Sequence, residues 1–547
     1  MWGFQVLCVL GAMAQAHLHL GMGKAPQGDL KGYEFWWTQN LTEVEVATPL
    51  NVEGKIPAWL SGSLVRNGPG LFEKGGQVMH HQFDGLSKPN KWRIHEGEVF
   101  FQTRFLRSHM WNTTNDTQRV PEHMTMLPMT PKYTMKQRID AMENSNLLDN
   151  PNIFIWKTGD AHFATADMGK QIHFDLDSLD SLGYMEYQGD HDDQFTGAHK
   201  QPAFAQEGSG ETIGWTGSIN VLGLTMKLKV HRDSPNFVRQ FIGEVNVDWL
   251  ALIHSFAVTK NYVLIMIPNV GIDVMKMGKE ILFAKEFDAI QGMKWHGDKK
   301  AKVYVFDAHS QDPKKAPLRT FEADPMYFNH HVNAYEEDGN IVMDVIGYDN
   351  GDFISDPHGF ANLDVMKDPE ARSKLVALNP QFRRYRMNMA KGSANHINFD
   401  EIKLTDGKQQ YNIEMPRFNE YVRRGQPYCF VYGMSSADHV GMLPSLAKAD
   451  LCHAGKVRQW FEPNQYPSEV IFVPRPDATD EDDGVLVTQV LDGTAATSYL
   501  LVLDAKTMTT LAKAHAPVWI PYDVHGQFFP DATMYHDKLA KPDAAWV

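Results

Sequence analysis

Short apolar or alternating runs, each closed by turn residues, recur along the whole chain and restrict it to an antiparallel β architecture. They fall at Val99–Phe105, Ile153–Lys157, His254–Pro268, Val303–His309, Asn340–Tyr348, Tyr428–Met434, Gly484–Leu491 and Ser498–Lys506. Turn signals such as Glu337-Asp338-Gly339 and Asp482-Asp483-Gly484 favour hairpins over parallel strands with helical crossovers. Helical pattern is confined to two insertions. One runs from about Asp273 to Met293, where Met275, Ile281, Phe283, Phe287 and Ile290 make an irregular apolar face, and the other from about Leu363 to Leu378. Successive hairpins with loops gathered at one end fit a propeller or a large closed barrel. No blade motif repeats at a fixed period, so periodicity does not choose between them.

The 547 residues are 43% hydrophobic and 22% charged, which supplies a large core and excludes disorder and fibrous repeats. Lys plus Arg at 52 against Asp plus Glu at 67 leaves a net charge of −15, with no long basic stretch, so nucleic acid is not an expected partner. Residues Met1 to Ala16 carry no charge and end on Ala14-Gln15-Ala16, which reads as a secretory leader, although the basic start of such leaders is missing. An N-terminal anchor or a buried strand is the other reading of this stretch, which is too short to span a bilayer. A leader cleaved at Ala16 leaves one domain, residues 17–547, in the secretory lumen or outside the cell. Sequons at Asn40, Asn112 and Asn115 fit that compartment. Beyond Cys8 in the leader stand Cys429 and Cys452, which read equally as a disulfide or as two buried thiols on neighbouring strands. The acidic run Asp477 to Asp483 reads as a solvated turn in preference to a calcium site. No nucleophile elbow, phosphate-binding loop or dinucleotide fingerprint is present, which leaves the 24 histidines as the residue type to examine.

Several longer motifs occur in order. They are Ile56-Pro57-Ala58-Trp59-Leu60-Ser61-Gly62-Ser63-Leu64-Val65-Arg66-Asn67-Gly68-Pro69-Gly70, Phe83-Asp84-Gly85, Ile253-His254-Ser255-Phe256 and His330-His331-Val332-Asn333-Ala334-Tyr335-Glu336. Tyr466-Pro467-Ser468-Glu469, Glu481-Asp482-Asp483-Gly484-Val485 and Val524-His525-Gly526 follow. Together they resemble the carotenoid oxygenase family, the carotenoid cleavage dioxygenases and the retinoid isomerase of the retinal pigment epithelium, and most closely its animal branch. The resemblance implies an all-β fold, a seven-bladed β-propeller with a helical and loop dome over the face that carries one iron(II) per chain.

Carried over by motif, the iron ligands are His199 in Thr196-Gly197-Ala198-His199, His254, His330 and His525. His331 competes with His330 for the third position, and the family register favours His330. Lys200 follows His199 where the family usually has proline. Imidazole suits iron(II), and four neutral ligands leave the metal its double charge and up to two open positions. Carboxylates that hold the other ring nitrogens are implied at Glu414 for His330, Glu469 for His525 and Asp167 for His254. Asp167 is one methylene shorter than the glutamate expected there, so direct contact with His254 calls for a backbone shift or a bridging water.

The implied activity is oxidative cleavage of a conjugated carbon–carbon double bond in a carotenoid or apocarotenoid, with dioxygen as co-substrate and aldehydes or ketones as products. A secreted carotenoid carrier that holds the pigment in the apolar tunnel the resemblance implies, with no cleavage activity, is the alternative, and a retinoid isomerohydrolase-like activity comes third. Where membrane-attached relatives carry an apolar patch, Met110 to Met142 holds Asn112, Asn115, Gln118 and Arg119, so at most weak peripheral membrane contact is expected.

Overall fold

The computed structural model describes residues 30–534, apart from short internal stretches at 144–148, 168–169, 190–194, 205–209, 221–224, 274, 277–278, 280–287, 376–378 and 437–444. Met1 to Ala16, and the cleavage point expected there, lie outside the described residues. So does most of the insertion expected to be helical from Asp273, of which Ala289–Gly292 forms one helical turn before a short strand, Met293–Trp295.

Seven sheets of four to six strands, antiparallel except for one parallel bridge between Thr405 and Lys456, follow one another along the chain. Blade 1 contains Gly62–Asn67, Asn90–His95 and Glu98–Thr103, and blade 2 the strands from Phe154–Thr158 to Ser181–Tyr184. Blade 3 runs from Phe195–Thr196 to Arg239–Val247, blade 4 from Ala257–Val258 to Arg319–Ala323, and blade 5 from Tyr327–Glu337 to Phe399–Glu401. Blade 6 spans Leu404–Thr405 to Lys456–Trp460, and blade 7 spans Gln465–Pro467 to Thr510–His515.

Hydrophobic packing closes these sheets into a ring. Each interface between successive blades has its own buried cluster, for example Val65 and Phe529 against Ile155 and Ile172 between blades 1 and 2. Phe154 and Phe163 meet Ala198 between blades 2 and 3, and Trp215 and Leu228 meet Val263 and Ile265 between blades 3 and 4. The series continues through Val303 and Met343, Val342 and Ile413, and Tyr432 and Leu486. It ends where Val487 and Val502 of blade 7 pack on Leu64 and Trp92 of blade 1. An open stack of sheets would leave one such face wet.

Both chain ends lock the ring. The C-terminal strand His525–Pro530 pairs with Gly62–Asn67 in blade 1, whereas Val44–Pro49 joins blade 1 and Asn51–Gly54 joins blade 7. Gly526 lies opposite Arg66, and a Cβ there would meet Val65 O at 2.4 Å and Arg66 Cδ at 2.6 Å, so only glycine lets the arginine side chain pass.

The turn at Asp338 and Gly339 is a two-residue hairpin with φ of 50° and 75°, the primed geometry that suits strand twist. Asp482-Asp483-Gly484 is not a tight hairpin: Pro474 pairs with Gly484 across a nine-residue loop, residues 475–483. Within that acidic run Asp480, Asp482 and Asp483 pair with Lys506, Lys448 and Arg475, and Glu481 with Arg423, so these carboxylates hold the loop in place instead of forming a cation cage.

Helices and loops cover one end of the ring. The helical stretch expected from Leu363 breaks in two, Leu363–Lys367 and Pro369–Arg372, because Asp368 caps a new helix begun by Pro369. Two further helices, His109–Thr117 and Met135–Glu143, occupy the segment expected to be merely polar, the first capped by Ser108 on Trp111 N. The buried face of the first helix offers only Met110 and the polar Thr114, too little for an apolar period to show in the sequence. Among the described residues no helix is long and apolar enough to cross a membrane.

Candidate metal centre

Each blade contributes one side chain to a cluster of histidines and carboxylates at the axis. His199, His254, His330 and His525 come from blade 3, the entry to blade 4, blade 5 and the C-terminal strand of blade 1, and their ligand atoms all lie within 4.8 Å of one another. Asp167 follows the second strand of blade 2, Glu414 sits in blade 6 and Glu469 in blade 7. Spacings of tens to hundreds of residues converge because propeller blades present equivalent positions to one axis.

The Nε2 atoms of His199 and His254 are 3.1 Å apart, those of His254 and His525 3.2 Å, and those of His330 and His525 3.1 Å. On the far side of the rings, His254 Nδ1 meets Asp167 Oδ2 at 2.8 Å, His330 Nδ1 meets Glu414 Oε2 at 2.6 Å and His525 Nδ1 meets Glu469 Oε1 at 2.9 Å. A carboxylate accepts only, so each Nδ1 carries the proton and each Nε2 turns a bare lone pair inward. Convergent lone pairs repel unless a cation lies between them. Two nitrogens at right angles on an ion with bonds of about 2.1 Å stand about 3.0 Å apart, against about 3.4 Å in a tetrahedron, so the observed edges fit neighbouring corners of an octahedron.

Burial favours the neutral ring at His199 and His525. Burial, reinforced by the other histidines, holds His199 well below its ordinary range, and burial takes His525 down to about 3. At His254 burial also acts downward, but the Asp167 carboxylate, with Glu414 and Glu469 behind it, outweighs that and raises the group.

The shorter Asp167 reaches His254 directly, contrary to the expectation from its length. Its Oδ1 accepts Ala198 N at 3.1 Å, so the same carboxylate also fixes the backbone beside His199. His331 is not part of the cluster; its Nδ1 meets Ser255 Oγ at 3.0 Å. Several partners were not singled out from the sequence. Glu469 accepts from Arg66 Nη1 at 2.6 Å, Arg417 Nε at 2.9 Å and Gly526 N at 3.0 Å, and Tyr348 donates to Glu414 Oε1 at 2.7 Å. Arg66 is fully buried and also holds Asp523 at 2.5 Å. A charge inside an apolar strand is itself a signal, since buried arginine is rare unless paired.

His254, His330 and His525 open onto a cavity whose wall is mainly apolar, with Trp215, Ile253, Tyr327, Phe353, Met415 and Tyr522 among its residues. Tyr522 stacks on Trp37 at 5.4 Å and 15°, so the N-terminal turn Tyr33–Trp37 backs this wall. Asp84, from Phe83-Asp84-Gly85, also lines the cavity; burial pushes its carboxyl up to about 8, and it accepts Met126 N at 2.7 Å.

Of the three sequons, Asn112 and Asn115 are exposed on the helix His109–Thr117. Asn40 is buried and its Nδ2 donates to Trp519 O at 2.7 Å, so the folded chain leaves no room for a glycan there. Cys429 and Cys452 form a disulfide, with Cα atoms 5.1 Å apart.

The family described as Retinal pigment epithelial membrane protein matches residues 37–530 of this chain. The β,β-carotene 15,15'-dioxygenase of Rattus norvegicus is 29% identical over 522 residues, covering 88% of this chain and 89% of that protein. The carotenoid isomerooxygenase of Galleria mellonella is 28% identical over 524 residues, covering 91% and 96%. Among solved structures, a Synechocystis apocarotenoid oxygenase variant superposes with a TM-score of 0.74 at 24% identity, over 91% of this chain and 98% of that one, and shares the seven-bladed propeller fold. The chain therefore belongs to the retinal pigment epithelial membrane protein family, the carotenoid oxygenases.

Proposed function

We propose that this protein cleaves a conjugated carbon–carbon double bond of a carotenoid or apocarotenoid, using dioxygen and one iron(II) held by His199, His254, His330 and His525. The observation that carries this reading is four converging imidazoles, three of them fixed by carboxylates and opening onto a mainly apolar cavity. The sequence relatives named for β-carotene cleavage support the substrate class.

When bound, iron(II) supplies the redox chemistry that joins dioxygen to the polyene. The chain's residues orient and exclude. The aromatic and methionine wall takes up a long apolar substrate, whose affinity comes from burial, and keeps bulk water from the reacting carbons. Asp167, Glu414 and Glu469 accept the ring N–H groups of His254, His330 and His525 and so hold those three Nε2 atoms in one arrangement. None of these three is left to act as a proton donor. Cleavage by dioxygen needs none, because both oxygen atoms end in two carbonyl groups and no further reductant is consumed.

The test is a metal and product analysis of the purified chain. Wild type should hold about one iron per chain and release aldehydes labelled from dioxygen, and His254→Ala or His525→Ala should abolish product while leaving carotenoid uptake largely intact. Stoichiometric binding of intact carotenoid by iron-loaded wild type, with no cleavage across a broad panel, would replace this reading with that of a pigment carrier.

We also place the chain in the secretory lumen or outside the cell, with a leader at residues 1–16 and one propeller domain after it. The Cys429–Cys452 disulfide and the exposed sequons support this. Secreted material should begin at His17 and lose mass on deglycosylation at Asn112 or Asn115, but not at Asn40. An intact Met1 recovered from cytosol would overturn the placement.

A further inference from the structure

His199 is the one histidine of the four whose Nδ1 meets no carboxylate among the described residues. Its ring stacks on Phe154 instead, with centroids 4.5 Å apart at 21°, a contact that fixes the ring plane but not its advance toward the axis. The backbone must therefore set the reach of this side chain. On its N-terminal side the chain is clamped twice: Ala198 N donates to Asp167 Oδ1 at 3.1 Å, and Ala198 O accepts from Thr165 Oγ1 at 2.6 Å.

The residue on the other side is Lys200. Its side chain turns away from the axis into blade 3, where it is buried and pairs with Asp233. Asp233 has no exposed surface and also accepts Arg239 Nε at 2.8 Å and meets His231 Nδ1 at 2.9 Å. Tyr187 caps the cluster, with Lys200 Nζ 4.7 Å and Arg239 Cζ 4.1 Å from its ring centre. A lysine so deeply buried is costly unless paired, and Asp233 is anchored by three cationic or polar partners, so Lys200 has one place to go.

We propose that Lys200 is a positioning residue for the metal centre: its buried ion pair with Asp233 ties the backbone after His199 to blade 3 and supplies the restraint that carboxylates supply to the other three histidines. Blade 3 thus sets the position of His199 through the main chain, where blades 2, 6 and 7 act on the other rings through a side chain. The inference rests on the four histidines holding a metal, and its test keeps the two readings apart.

Metal-free full-length protein is titrated with Co(II) without oxygen, and the visible d–d bands report both affinity and coordination. Lys200→Met removes the charge at nearly constant length, and Asp233→Asn weakens the same tie from the other end, should the first variant fold poorly. Each should lower Co(II) affinity on the order of 10- to 100-fold and shift the bands. Lys448→Met breaks another buried Lys–Asp pair, with Asp482 in the loop of blade 7, and serves as control. It should lower the unfolding midpoint while leaving Co(II) affinity and bands as in wild type. Wild-type affinity and bands in both Lys200→Met and Asp233→Asn would overturn the proposal, as would an equal loss in Lys448→Met. If wild type itself takes up no Co(II), the four-histidine reading fails and takes this inference with it.

Discussion

Glu469 and Glu414 hold equivalent rings, yet their surroundings predict opposite balances of fold and metal effects on substitution by glutamine. Glu469 is buried and receives four N–H groups, from Arg66, Arg417, His525 and Gly526, with two guanidinium charges among them. An amide keeps the shape but removes the charge and turns one acceptor into a donor that faces donors. Breaking a buried ion pair from one side costs about 3–5 kcal/mol. Asp523 still faces Arg66 and Glu420 still faces Arg417, so the lower half of that range applies to Glu469→Gln. Glu414 has no arginine partner. Its Oε2 receives His330 Nδ1 and Met415 N, and its Oε1 receives only the Tyr348 hydroxyl. A glutamine can leave its oxygen toward the two N–H donors, and the hydroxyl can rotate to accept from the amide. The loss at Glu414→Gln is then about 1 kcal/mol.

Urea unfolding of the metal-free chain, followed by Co(II) titration, separates the two effects. Both variants should lose metal affinity, on the order of 10- to 100-fold, because each ring loses a charged orienting partner. Only Glu469→Gln should also unfold at clearly lower urea. Equal unfolding midpoints for the two variants would refute the assignment of Glu469 to the fold as well as the metal. Unchanged metal affinity in Glu414→Gln would refute its role at His330.

Asp167→Ala should loosen metal binding on the order of 10- to 100-fold. Asp167→Glu should not tighten it, because the direct 2.8 Å contact already exists and an added methylene disturbs the bond to Ala198 N, as Co(II) titration will show. Reduction of Cys429–Cys452, which are 23 residues apart, or Cys429→Ser should lower stability by about 3 kcal/mol on loop entropy, read as a fall in urea midpoint relative to the oxidised chain. Burial takes His81 and His231 each down to about 3, so between pH 6.5 and 3 the unfolded chain binds protons that the folded chain refuses. Stability of the metal-free protein should accordingly fall steadily as pH drops below 6.5, and a flat urea midpoint from pH 7 to 4 would contradict the burial of these rings.

Strand content was legible because alternation and turn chemistry are local, as at Asn340–Tyr348 with its Asp338-Gly339 turn. Ring closure was not: the clusters that join blade 7 to blade 1 bring Val487 against Leu64, residues with no sequence relation, and only the family motifs implied a propeller. The same division runs through the site. His254, His330 and His525 stand in motifs and could be named, as could Glu414 and Glu469. Which residues complete them depends on the third dimension. Arg66 and Arg417 serve Glu469 only because blades 1, 6 and 7 meet beside His525.

Asp167 shows why side-chain length alone misleads. Counting methylenes placed its carboxylate short of His254, as if the second-blade backbone were held at a family position. The backbone instead brings Oδ2 to 2.8 Å from the ring, and the same placement puts Oδ1 on Ala198 N, beside His199. One short carboxylate therefore links His254 to the backbone beside His199. In this chain the departure at Asp167 and the departure at Lys200 fall on the two sides of the same histidine. The residues flanking His199 are thus restrained by carboxylates of blades 2 and 3, Asp167 taking the amide before it and Asp233 the ammonium after it. Asp167→Ala should for that reason disturb His199 as well as His254, and adding Lys200→Met to it should cost less than the product of the two separate losses in Co(II) affinity, because both variants free the same ligand.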